Sequence, residues 1–176
     1  MVTLKGEHIY LRALEPEDLE FVYSIENDES IWELSSTQTP YSKYLIKQYL
    51  ENAHADIYEV KQLRLVICSY DHETLGMIDV FDFDAKNKRA GVGILVKEDE
   101  NRNKGYGREA LKLVTNYCFT HLNLHQLYCN ISEENNNSIK LFSNQGFKSI
   151  GLKKDWNLNN GAYKNEYLFQ LIKNVH

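Results

Sequence analysis

The chain carries only two prolines and three cysteines in 176 residues, and it has no long apolar run. Each shortage excludes something. Pro16 and Pro40 are too few for a proline-rich linker, and no low-complexity tract stands in for one. Cys68, Cys118 and Cys129 form no CxxC pair and lie inside apolar or aromatic runs. An odd, scattered set argues for reduced core thiols rather than a disulfide frame or zinc site. The six histidines, at 8, 54, 72, 121, 125 and 176, show no HxH or HExxH spacing, so no metal is expected. No stretch approaches the ~20 apolar residues that span a bilayer. The opening "MVTLKGEHIYLRALEPEDL" lacks the unbroken apolar core of a signal peptide. Basic charge is short too, with 20 Lys and Arg against 25 Asp and Glu. A net charge of -5 speaks against nucleic-acid binding through a basic surface. These absences predict a soluble, cytoplasmic protein with neither nucleic acid nor membrane as a partner.

What is present is an ordinary globular composition, 43 % hydrophobic and 26 % charged. A chain of this length makes one domain most simply, residues 1–176, burying roughly 70 % of its unfolded surface. In "EPEDLEFVYSIEN", Pro16, Glu17 and Asp18 suit the positive end of a helix, and Leu19, Val22 and Ile25 recur at helical spacing. "TPYSKYLIKQYLEN" repeats the design: Thr39 caps, Pro40 starts, and Tyr41, Tyr44, Leu45, Gln48 and Tyr49 share a face. The intervening "ESIWELSSTQ" is polar and reads as irregular. Strand signals follow in "LRLVICSY", "LGMIDVFDF" and "RAGVGILV", the last with Gly91 and Gly93 marking close backbone approach. "NRNKGYGREALKLVTNYCF" opens a long helix. "LHQLYCNI" alternates Leu127, Cys129 and Ile131 on one face, and "NNNSIKLFSNQ" reads as a short helix. An Asn-Gly turn then joins two closing strands. The order is strand, two helices, three strands, helix, strand, helix, two strands. That is an α+β fold with a mixed, mostly antiparallel sheet of six to seven strands and about four helices. Consecutive strands without intervening helices exclude a doubly wound nucleotide fold.

The densest chemical signal is Arg102-x-x-Gly105-x-Gly107, placed between the strand ending at Val96 and the long helix. A strand-loop-helix junction leaves backbone amides unpaired at the helix start, and the helix dipole adds to them as an anion site. Glycine lets a phosphate approach closely. Arg102, Lys104 and Arg108 supply charge-assisted contacts. The plainer alternative is a solvated helix start whose glycines only turn the chain. No Gly-Lys-Ser/Thr follows and no third glycine, so neither a nucleotide P-loop nor a dinucleotide fingerprint fits.

This loop resembles the acyl-CoA pyrophosphate loop, R/Q-x-x-G-x-G/A, of the GNAT N-acetyltransferases. "NNNSIKLFSNQGF" resembles that superfamily's N-x-x-S/A…G-F helix, with Asn135, Ser138, Gly146 and Phe147 in register. "IYLRALEPEDLEFVYSIEND" is similar to the branch holding ribosomal-protein N-terminal acetyltransferases and bacterial spermidine or diamine acetyltransferases. The region "LNLHQLYCNISEENNNSIKLFSNQGFKSIG", with the later "NNGAYKNE", looks most like the polyamine enzymes.

The resemblance implies acetyl-CoA as cosubstrate, held by Leu95, Val96, Arg102, Asn103, Lys104, Gly105, Tyr106, Gly107, Arg108 and Asn135. It implies central strands that splay around the thioester arm, with an amide near Leu95 or Val96 facing the acetyl oxygen. Asp79 and Asp82 are three apart, so alternation puts them on opposite faces of their strand. Asp79 is expected to bind a cationic acceptor and relay its proton, the alternative being a solvated strand residue. Trp32 and Glu33 fall where the family walls the acceptor pocket. Two departures stand out. Phe142 occupies the position of the family's proton-donating tyrosine, and Ser138 is the candidate replacement, or else a first-turn helix residue without chemistry. Gly91 stands where the polyamine enzymes carry glutamate. The acceptors expected are a polyamine or diamine first, then a protein N-terminus, then an amino-sugar or drug amine. A non-catalytic acyl-CoA sensor is the rival. Exposed C-terminal strand edges offer a route to a homodimer or higher homo-oligomer.

Overall fold

The computed structural model describes residues 3–97 and 105–174. Seven strands form one sheet in the order β1-β2-β3-β4-β5-β7-β6. They are β1 (Ile9–Ala13), β2 (Leu63–Ser69), β3 (Thr74–Asp84), β4 (Arg89–Val96), β5 (Gln126–Ser132), β6 (Lys148–Asn159) and β7 (Ala162–Ile172). All neighbours are antiparallel except β4 and β5. Four helices exceed a single turn: α1 (Leu19–Glu26), α3 (Lys43–Glu51), α5 (Tyr106–Thr120) and α6 (Asn136–Asn144). Two one-turn helices, α2 (Trp32–Ser35) and α4 (Ile57–Val60), complete the order. The fold class and strand count agree with the sequence expectation.

Strand alternation decides which side chains meet which helix. Ile78 and Val80 of β3 join Val92 of β4 beneath α5, whose Ala110, Leu111, Val114 and Cys118 are all fully buried. Met77, on the other face, packs with Val22 and Ile25 of α1 and Ile46 and Leu50 of α3. The sheet is thus sandwiched between helices, and Asp79, two residues from Met77, shares the α1–α3 face. The three cysteines are free and buried, as expected, and burial pushes the Cys118 thiol up to about 12.

Several local expectations are corrected. The stretch before α3 is not started by Thr39 and Pro40: Ser42 caps the helix, its hydroxyl accepting from the Leu45 amide at 3.2 Å. Pro40 lies ahead of the helix, and the buried face is Ile46 and Leu50, with Tyr44 and Leu45 in solvent. "ESIWELSSTQ" is two successive helical turns, 3₁₀ at Glu29–Ile31 and then α2, rather than irregular chain. Gly91 is required by a side chain, not a backbone: a Cβ there would lie 2.2 Å from the Phe81 ring.

The start of α1 shows how Pro16 and its acids are used. Glu15 and Asp18 form a reciprocal capping box around Pro16, and Asp18 is 5 % exposed. Burial opposes ionisation of Asp18, but a two-pronged bond from Arg12 (2.7 and 2.8 Å) and the Glu15 amide hold its carboxyl below the usual range. Because the folded value is lowered, this stabilisation is complete above the unfolded value near 4 and is lost as pH falls through the folded one. Asp18→Asn should therefore cost about 2 kcal/mol at pH 7, a figure discounted for the partial exposure of Arg12. Denaturant titrations of both proteins at pH 7 and pH 3 check this; the gap should narrow at pH 3.

Candidate active site

β4 and β5 are paired over only three positions, Arg89–Gly91 against Gln126–Tyr128, and then part. The reason is visible in the two strands' other partners. β4 stays in register with β3 as far as Val96, while β5 follows β7 through Ser132. In an antiparallel ladder, amides alternate between the two sides of a strand. The Lys97 amide donates to the Leu75 carbonyl at 2.7 Å, so odd positions of β4 face β3. The Lys88 carbonyl accepts from His125 at 2.7 Å, so even positions face β5. Past Gly91, among the described residues, no strand pairs with that side, and alternation directs the amides of Val92, Ile94 and Val96 to it. Of the two amides expected near the acetyl oxygen, alternation puts that of Leu95 in the β3 ladder and that of Val96 on the side away from β3, while of the two residues it is Leu95 that lines the cavity there.

A cavity of about 1040 Å³ occupies this gap. Val92 to Leu95, Cys129 to Ser132, and Asn135, Ser138 and Phe142 line its inner part. Asn135 caps α6, its side chain accepting from the Ser138 amide at 3.1 Å. Ser138 is half-buried in the first turn of the helix. Phe142 is 3 % exposed and meets Phe147 edge-on at 5.1 Å. Two tyrosines that could donate a proton lie elsewhere. Tyr128 bonds Asp82 at 3.3 Å, and Tyr163 is 64 % exposed on β7.

At the foot of the gap, α5 begins on Gly105 in the left-handed conformation, φ +84°, which a side chain would strain. Gly107 faces Val96, Ile94 and Leu141, each 3.5–3.7 Å from where a Cβ would be. Tyr106 packs against the core and Arg108 is exposed. Arg102, Asn103 and Lys104 lie outside the described residues. The first-turn amides of this 15-residue helix, which no carbonyl of the helix can pair, and the β4 amides past Gly91, which no described strand pairs, fit an acyl-CoA: one set for its diphosphate, the other for its amide-bearing arm.

The far end of the cavity is acidic but internally bridged. Asp79 lines it, and Arg64 donates to both of its oxygens, Nε to Oδ1 at 2.8 Å and Nη2 to Oδ2 at 3.1 Å. The same guanidinium reaches Glu26 of α1 at 2.8 Å. Burial opposes the Arg64 charge, yet Asp79 and its neighbours hold its pKa above the ordinary value. At the rim, Lys164 of β7 bridges Glu33 (3.0 Å) and Glu134 (2.6 Å). Bonds from Asn159 and Lys164 keep Glu33 below its ordinary pKa. Each cluster sets one cation against two carboxylates and so keeps one negative charge in excess. Trp32 lines the same end, its indole donating to the Glu26 carbonyl at 3.0 Å.

Asp82 does not reach the cavity. It is split from Asp79 by a bulge: the β3–β4 register shifts between Phe81 and Asp84, and Asp82 has φ +47°. The sequence reading missed Arg64 and Lys164. The available signal was a lone arginine in one apolar strand and the first of three aspartates in the next strand of the same hairpin, which the ladder sets directly opposite.

Residues 8–148 match the family described as Acetyltransferase (GNAT) domain. The chain is a GNAT acetyltransferase. Its donor is acetyl-CoA and its reaction is N-acetylation. Among relatives of this GNAT enzyme, the spermidine N(1)-acetyltransferase of Escherichia coli (strain K12) is 30 % identical over 157 residues, 89 % of this chain and 82 % of that protein. An uncharacterized prophage-derived N-acetyltransferase of Bacillus subtilis (strain 168) is 29 % identical over 168 residues, 96 % and 92 % of the two chains. Spermidine N-acetyltransferase from Vibrio cholerae, solved with CoA and spermine, superposes with a TM-score of 0.85 at 23 % identity, covering 95 % of this chain and 96 % of that one. Among the described residues, no helix is long and apolar enough to cross a membrane.

Proposed function

We propose that this GNAT enzyme, as one domain over residues 1–176, acetylates a small polyamine or diamine. The supporting observation is the cavity lining, in which five carboxylates, Glu26, Glu29, Glu33, Asp79 and Glu166, stand against two cations, Arg64 and Lys164. Surplus negative charge spread from floor to rim suits an acceptor with more than one ammonium group, and the 30 % identity to a spermidine enzyme points the same way.

Bound acetyl-CoA supplies an activated acetyl group. The α5 start and Arg102, Asn103, Lys104 and Arg108 hold its diphosphate, and Asn135 with the free edge of β4 holds its arm. The Val96 amide donates to the acetyl oxygen, where negative charge develops. Asp79 draws in the ammonium and takes its proton through water, since only the neutral amine attacks. Trp32 and Glu33 wall the acceptor. Ser138 returns a proton to the departing sulfur, the task Phe142 cannot perform. Ser138→Ala should lower kcat about 10- to 100-fold with acetyl-CoA affinity unchanged, checked by steady-state kinetics and calorimetry. Full activity in that variant removes Ser138 from the mechanism.

Free-thiol release across an amine panel containing spermidine and an alanine-led peptide tests the acceptor. Spermidine should outpace the peptide by at least about tenfold in kcat/KM. Preference for the peptide moves the acceptor to protein N-termini. The missing tyrosine at Phe142 favours one further reading, a non-catalytic acyl-CoA sensor, which gains if CoA binds and no amine accelerates thiol release. The exposed Trp156, Leu158 and Tyr163 of the β6–β7 hairpin support a homo-oligomer, testable by light scattering.

A further inference from the structure

We infer that Arg64 is the positioning residue of the acceptor side, setting both the carboxylate of Asp79 and, through Glu26, the Trp32 wall. The inference rests on the reading of Asp79 given above. Its basis is one guanidinium, carried on β2, that makes three charge-assisted bonds, two to β3 and one to α1. Arg64 leaves β2, grips Asp79 of β3 with two parallel bonds, and reaches Glu26 at the last turn of α1. The same residue's main-chain carbonyl, at the end of α1 that Arg64 anchors through the side chain, accepts from the Trp32 indole of α2. The arginine side chain is only 18 % exposed, against 18 % for Glu26 and 25 % for Asp79. The Tyr49 ring lies 5.7 Å from the guanidinium on its far side.

Arg64, Glu26 and Tyr41 line the acetyl-transfer cavity and also a second cavity of about 520 Å³ between α1 and α3. The Arg64–Glu26 pair is thus a partition with open space on both sides. Without Arg64, Asp79 would face that space with no partner to fix its plane. A two-pronged arginine grip fixes both distance and orientation of a carboxylate, which a lysine cannot do. Both Asp79 oxygens keep a second lone-pair direction for an ammonium or a water.

Stability alone does not account for this arrangement. Removing three charged groups from water is costly, and well-packed apolar residues of similar volume stabilise a fold as well or better. Here the ions sit at a cavity floor, where orientation of a carboxylate has chemical use.

The test compares wild type with Arg64→Lys and Arg64→Ala, both checked by thermal melting, using the amine found in the panel and acetyl-CoA. Arg64→Lys should lower kcat/KM for the amine about 30-fold and Arg64→Ala about 100-fold, with KM for acetyl-CoA within about twofold of wild type. Millimolar ethylguanidinium should restore at least about tenfold of the Arg64→Ala loss and none of the loss in Asp79→Asn. Wild-type kcat/KM in Arg64→Lys overturns the inference. So does a loss that extends equally to acetyl-CoA, or one that ethylguanidinium leaves unmoved, since either marks a merely structural ion cluster. A wild type silent towards every amine overturns the acceptor reading first and this inference with it.

Discussion

Gly107→Glu should raise the Kd for acetyl-CoA at least about 100-fold, a loss of about 2.7 kcal/mol. Two effects combine. The Cβ position of Gly107 has neighbours at 3.5–3.7 Å on Val96, Ile94 and Leu141, so a methyl group fits but a longer chain does not. A glutamate must either wedge between β4 and α6 or turn its carboxylate toward the first-turn amides of α5. There it competes with a diphosphate for the same positive potential and repels it. Gly107→Ala is the control and should keep Kd within about threefold, because its single methyl makes only ordinary contacts. Calorimetry with acetyl-CoA, alongside melting temperatures, separates lost affinity from lost fold. Unchanged affinity in the glutamate variant counts against a diphosphate at this helix start.

The second large effect is expected at Asp79. Asp79→Asn keeps the shape of the side chain and should lower kcat/KM for the amine about 100- to 1000-fold, leaving acetyl-CoA affinity unaltered. The change takes the floor cluster from an excess of one negative charge to neutrality, since Arg64 then answers Glu26 alone. At about 4 Å and an effective dielectric near 20, one charge interaction is worth about 4 kcal/mol, enough for a loss of that size. Spermidine kinetics at saturating acetyl-CoA measure it. If the loss appears in kcat with KM unmoved, proton removal dominates; if KM rises alone, Asp79 is an anchor only.

Much of this arrangement was legible in the sequence where a local rule decides the outcome. Asn135 caps its helix because a short side chain three residues before Ser138 can reach that amide. Asn160 and Gly161 turn the last hairpin because both adopt positive φ. The loss of β4–β5 pairing followed from the family likeness, and the structure gives its extent. Features that depend on distant partners were not readable. Arg64 sits in an apolar run, and its two carboxylates come from 15 and 38 residues away. Lys164 finds Glu33 and Glu134 only once β7 and the cavity rim are assembled. Gly91 invited a backbone explanation because the Phe81 ring that excludes a Cβ belongs to a neighbouring strand. At α3, Thr39-Pro40 and Ser42 both satisfy the start rules, and the later residue won because its hydroxyl reaches an amide of the helix.

The pocket's dependence on Gly105, Gly107 and the free edge of β4 is tested most directly by a crystal structure with acetyl-CoA. The expected result has the diphosphate on the amides that open α5, the arm running between β4 and β5, and the acetyl oxygen within hydrogen-bond reach of the Val96 amide. Cofactor bound elsewhere, with that gap empty, would contradict it.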